Sequence, residues 1–233
     1  MFRGRHGVKF KKSPLLILYI KLNDMGHLTE NQQLENEIKR ILDTLETKNQ
    51  KLGYYEDENE ELRYLPSALY LKLRDYQSGL AYNQWVDETF TDECPPPDFL
   101  FEWSVFLFMN GKIKEAEYKL VETFFSNTYV FDKFFDRQIV PINKVEYKEF
   151  EHVAFVENFK YSFKQKELTP FVKWFAVYEQ SDRFRSVAKR FVKSQVQLNV
   201  EEDPERIFYL EHVDWQLLYE FGQNSFIDLP PKE

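Results

Sequence analysis

The strongest constraint on the fold lies between residues 98 and 126. An apolar run, Phe99 to Met109, is followed by Asn110–Gly111 and then by a periodic segment, Ile113 to Phe125. Asn–Gly is a turn signal. In the second segment Ala116, Leu120 and Phe124 recur every four residues, which places them on one helical face. The pattern predicts an antiparallel helix pair. Ahead of it, Cys94–Pro95–Pro96–Pro97 is a stiff connector, because proline lacks an amide donor and clashes inside a helix. Asp98 is placed to cap the first helix. That helix is apolar on more than one side, so the pair cannot bury its surface alone and neighbouring hairpins must stack against it.

Similar segments flank this one. Thr29, with Gln32 three residues on, reads as a capping box. Leu34, Ile38, Ile41, Leu42 and Leu45 then follow at helical spacing, predicting a helix over about 30–50 that ends near Gly53. The acidic stretch 56–61 reads as a solvated linker and helix start; it has no glycine for a calcium loop. Leu62, Leu65, Leu69 and Leu73 form the next stripe, Asp75 breaks it, and Tyr76 to Phe90 resumes a helix. Over 129–165 helices are expected at Val130–Ile139 and Val145–Lys164 around Pro141, although Phe159, Tyr161 and Phe163 also alternate as a strand would. Pro170 opens a further helix, Ser181–Asp182 turn the chain, and Phe184 to Val192 give another stripe. A last helix runs from about Pro204 through Phe221. The expected fold is all-α, with stacked antiparallel helix hairpins forming a short right-handed solenoid. It is a single domain over 1–233, in which 129–165 is the stretch open to irregular structure. Residues 1–12 are expected to form a basic, flexible N-terminus and 223–233 a tail.

Seven glycines in 233 residues are too few for the turns of sandwiches and barrels or for phosphate-binding loops. A net charge of −8 opposes binding to nucleic acid or an anionic membrane. One cysteine, Cys94, makes no internal disulfide and favours a reducing compartment. The apolar run at 14–22 follows basic residues but is short, ends at Lys21 and lacks a cleavage site. No segment approaches the ~20 apolar residues of a membrane span. These features predict a cytoplasmic protein. His6, His27, His152 and His212 form no zinc pattern with each other or with Cys94. Glu149 and His152 share a face at spacing three, a common chance pair. No nucleophile elbow is present. Catalysis is therefore not favoured, and no cofactor or metal is expected.

The 98–126 pair resembles a tetratricopeptide repeat. Leu100, Trp103, small Ser104 and Leu107 stand on its first helix, Gly111 is at the turn, and Ala116 and Leu120 follow on the second. Weaker echoes run over 62–90, with Ser67 and Gly79 as the small residues, and over 168–196, with Trp174, Phe184 and Val187. The aromatic expected at Ile113 and the closing proline are missing. The resemblance implies a concave groove lined by the first helix of each pair. Its inner positions would include Tyr64, Ala68, Lys72, Phe101, Glu102, Val105, Met109, Lys173 and Ala176. Such grooves take a peptide or helix of a partner protein, so a scaffold or adaptor is expected. Tyr64 and Phe101 stand where chaperone-binding members carry polar residues, so that activity is not. An alternative is a surface for nucleic acid or another acidic partner on the helix at 183–196. There Arg185, Lys189 and Lys193 fall opposite Phe184, Val187 and Phe191. A small enzyme with a scattered site is the third alternative.

Overall fold

The computed structural model describes residues 29–52, 60–90 and 94–226. The apolar run at 14–22, the N-terminal basic cluster, His6, His27 and most of the acidic stretch lie outside them. All regular structure among the described residues is helical. The chain divides into two compact units, Met1–Tyr54 and Tyr55–Glu233.

The first unit holds α1, Glu30–Leu52. Its start is the predicted capping box. The Thr29 amide donates to Gln32 Oε1 at 2.9 Å, and the Gln32 amide donates back to Thr29 Oγ1 at 3.3 Å. Two amides that the helix leaves unpaired at its start are satisfied reciprocally. Ile38, Ile41 and Leu45 are its buried stripe.

The second unit opens with α2, Glu60–Leu73, and α3, Tyr76–Thr89. Arg74 takes a left-handed φ of 59° between them, and the Asp75 side chain caps α3 by accepting from the Ser78 amide. The following hairpin is α4, Pro97–Met109, and α5, Ile113–Ser126. Gly111 turns it with a φ of 76°, open to glycine at little steric cost. Ala116 and Leu120 are fully buried and Phe124 is half-buried. The start of α4 differs from expectation. Pro97 occupies its first position, where a missing amide costs nothing, and Asp98 lies inside the first turn, accepting from the Phe99 amide. At Gly79 α3 comes close against α4. A Cβ there would lie 2.4 Å from the Phe106 ring.

The stretch 129–165 is largely irregular, which corrects the two helices expected there. Helix α6 covers only Val130–Phe134, and Asp136, with a φ of 55°, ends it. Three 3-10 turns follow, Glu149–Glu151, Val153–Glu157 and Lys166–Leu168. Fully buried Asn127 ties this segment down. Its Nδ2 donates to the carbonyls of Phe150 at 2.7 Å and His152 at 3.1 Å, while its Oδ1 accepts from the Tyr129 amide at 2.8 Å. The Ile142 amide donates to the Tyr129 hydroxyl, and the Phe163 amide to the Phe134 carbonyl. Backbone groups are thus paired without a helix, as buried polar groups must be.

Four helices complete the unit: α7 Thr169–Glu179, α8 Asp182–Leu198, α9 Pro204–Glu211 and α10 Val213–Phe226. Ser181 caps α8 and Asp203 caps α9. One helix was expected after Pro204; a one-residue turn at His212 makes it two. Helices pack in neighbouring pairs, with α4 also against α2, α3 and α7, and α5 against α8 and α10. The Tyr178 hydroxyl of α7 donates to the Glu117 carbonyl of α5.

Candidate functional site

The expected groove residues divide into a buried and an exposed set. Phe101 has no exposed surface. Its ring contacts Phe134, Tyr161, Phe159 and Phe171 at centroid separations of 5.0–5.5 Å. The inner face of α4 is therefore covered by the chain's own residues from 134 to 175. Val105 is also fully buried, and Glu102 is 3% exposed. This corrects the expectation that Phe101, Glu102 and Val105 line an open groove: the rings that follow α5 fill it. Tyr64 is half-buried against Phe99 and Met109 is half-buried, as is Ala68; Lys72, Lys173 and Ala176 are exposed.

Glu102 is the most perturbed carboxyl of this core. Burial, then the charge of Asp98, raise its pKa to about 8; Ser67, Tyr161 and Lys160 oppose the rise. The Tyr161 hydroxyl donates to Glu102 Oε1. Ser67 approaches closely enough to favour the charged form, though outside hydrogen-bonding geometry, and Oε2 has no partner among the described residues. Burial raises Asp98 and Tyr161 as well. Glu102 itself is closed from solvent, while Asp98 and Tyr161 are half-buried.

The basic face of α8 is thinner than its sequence suggests. Arg190 pairs with Glu220 at 2.9 Å, and Arg183 lies over the Phe221 ring and 3.5 Å from Glu117. Arg185, Lys189 and Lys193 are exposed. Lys189 and Lys193 rim an open groove of about 460 Å³, floored by Phe124, Ala188, Val192 and Val196. His152 faces Glu146 at 3.1 Å rather than Glu149, and Cys94 is exposed. No cluster of His, Cys, Asp and Glu among the described residues is placed to hold a metal. None of the described helices is long and apolar enough to cross a membrane.

The most unusual surface is on α9 and α10. Leu210, Leu217 and Phe221 are buried, facing inwards. On the outer side Phe208, Tyr209, Trp215 and Tyr219 are 67%, 60%, 73% and 68% exposed. Trp215 and Tyr219, four residues apart, are neighbours on one face of α10. Phe208 and His212, also four apart, place their rings 4.5 Å from each other, and His212 Nδ1 donates to the Phe208 carbonyl at 2.7 Å. The exposed rings thus form two pairs, Phe208 with His212 at the end of α9 and Trp215 with Tyr219 on α10, each pair four residues apart. Carboxylates border it. Glu205 and Glu211, both exposed, stand one turn to either side of Phe208. From 201 to 220 there are seven carboxylates, one arginine and no lysine. Large exposed aromatic residues in a row mark interaction surfaces far more than singly scattered ones do.

No family model, curated protein or solved structure matches this chain.

Sequence periodicity placed Trp215 on a helix but did not separate it from the core. Ile207, Leu210, Trp215, Leu217, Leu218 and Phe221 run around the helix, so the pattern selects no single face. The usable signal was the surplus: a helix apolar on all sides needs more cover than one neighbour provides.

Proposed function

We propose that this chain is a protein-binding module whose docking surface is the outer face of α9 and α10. The observation that carries this reading is the exposed aromatic row Phe208, Trp215 and Tyr219, three side chains each at least 67% exposed. Trp and Tyr dominate the energetics of protein interfaces, because each brings a large, stiff apolar area with a polar handle. The reading keeps the expected scaffold or adaptor role and moves its surface from the inner face of α4 to the end of the chain.

The test is affinity capture from the native cell by wild type, by the double variant Trp215→Ala/Tyr219→Ala and by Lys189→Glu. Both side chains of the double variant stand in solvent, so its helical circular dichroism should match wild type. The expected result is a partner captured by wild type and by Lys189→Glu and lost by the double variant. A partner retained by the double variant and lost by Lys189→Glu transfers the function to the groove between α5 and α8.

A further inference from the structure

The aromatic row does not stand on neutral ground. The stretch 201–220 carries seven carboxylates against Arg206. Two are neutralised locally, Glu201 by Arg206 at 3.3 Å and Glu220 by Arg190. Glu202, Asp203, Glu205 and Glu211 are exposed around α9. Asp203 caps that helix and Glu211 accepts from the Tyr147 hydroxyl; both hydrogen bonds leave the negative charge in place. The chain as a whole is at −8, so the field at long range has the same sign as the field at the face. An anionic or acidic partner meets repulsion at both distances, and so does a second copy of this chain. A cationic partner is steered in.

The spacing supplies the shape. Trp215 and Tyr219 lie four residues apart on α10, about 6 Å along its axis at 1.5 Å per residue, and Phe208 and His212 at the end of α9 are spaced alike. An extended strand pairs through backbone groups, and two helices offer none along their sides. A helix offers side chains every three and four residues, matching the spacing within each pair.

Resting on the docking face proposed above, we infer that its occupant is a lysine- or arginine-rich amphipathic helix of another protein. Its apolar side lies along Phe208, Trp215 and Tyr219, and its cations lie against Glu205 and Glu211. Affinity then has two separable parts: burial of the aromatic row, insensitive to salt, and charge pairing, weakened by it.

The probes are two synthetic peptides of about 18 residues, above the ~12–15 below which isolated helices are marginal. One is a Leu/Lys amphipathic helix; the other is the same pattern in Leu/Glu. A Leu/Lys peptide of equal composition but scrambled order is the control. Binding to the full chain is measured by calorimetry at low and high salt. The Leu/Lys helix is expected to bind at least tenfold more tightly than the Leu/Glu helix and the scrambled peptide. Trp215→Ala/Tyr219→Ala should weaken it at least tenfold at both salt concentrations. Glu205→Lys/Glu211→Lys should weaken it at low salt and flatten the salt dependence.

Equal binding of the two helices, or equal binding of the scrambled peptide, overturns the inference. So does binding unchanged by the double aromatic variant, or self-association abolished by it in sedimentation. If the Leu/Lys helix fails while the native partner is still captured through Trp215 and Tyr219, the partner class is wrong and the docking face stands. If neither peptide nor native partner depends on those residues, both fall.

Discussion

Glu102 couples the stability of the core to pH. Its folded pKa, about 8, lies above the ordinary 4.5. Below about pH 4.5 the folded and unfolded chains both hold the proton. Between 4.5 and 8 the folded chain keeps a proton that the unfolded chain has released, so stability falls as pH rises, by up to ~1.4 kcal/mol per pH unit. Above about 8 the loss is complete. Glu102→Gln keeps the shape and removes the titration. Its thermal midpoint should exceed that of wild type by more at pH 8 than at pH 5, and a gap independent of pH would sink this account. Gly79 is the steric counterpart. Since a Cβ there would meet the Phe106 ring, Gly79→Ala should cost about 1–3 kcal/mol by overpacking. Phe106→Leu should recover part of that loss in the double variant, which a denaturant titration of all three proteins would show.

Among the elements, those decided by local chemistry were legible. Thr29 and Gln32 satisfy each other within one turn, Gly111 turns the chain after α4, and Ser181 stands at the turn before α8. The segment 135–165 was not legible, because its course is decided at a distance. Asn127 reaches carbonyls 23 and 25 residues along the chain, and no periodicity encodes that. The exposed row on α9 and α10 was hidden for a related reason: composition names Trp215 as apolar, while α5 and α8 determine which side of the helix is covered. Asn127→Ala should remove the side-chain partner of the Phe150 carbonyl and of the Tyr129 amide, while the His152 carbonyl keeps the Phe155 amide, at about 1–3 kcal/mol for each buried group left unpaired. It should also open the 3-10 turns before the helices melt. Limited proteolysis should then cut between 136 and 152 faster than in wild type. Cleavage at the same rate and the same sites would show that other contacts hold the segment.

For the molecule as a whole, far-ultraviolet circular dichroism should be dominated by helix, well above the one-third usual in globular proteins; a spectrum dominated by strand would refute the architecture. Phe101→Ala should lower the unfolding free energy by about 3–5 kcal/mol, as a large ring removed from a closed core does. A variant at 101 therefore tests the core and not the binding surface, where Trp215 and Tyr219 are the informative positions. The contrast between Trp103, 4% exposed under the Lys119 ammonium at 3.7 Å, and Trp215, 73% exposed, reaches beyond energetics. Indole emission moves to longer wavelength in water, and a cation over the ring can quench it. The red edge of the protein's fluorescence should belong mainly to Trp215. Its sensitivity to acrylamide should fall when the face is covered, so the chain carries its own optical gauge of occupancy without an added label.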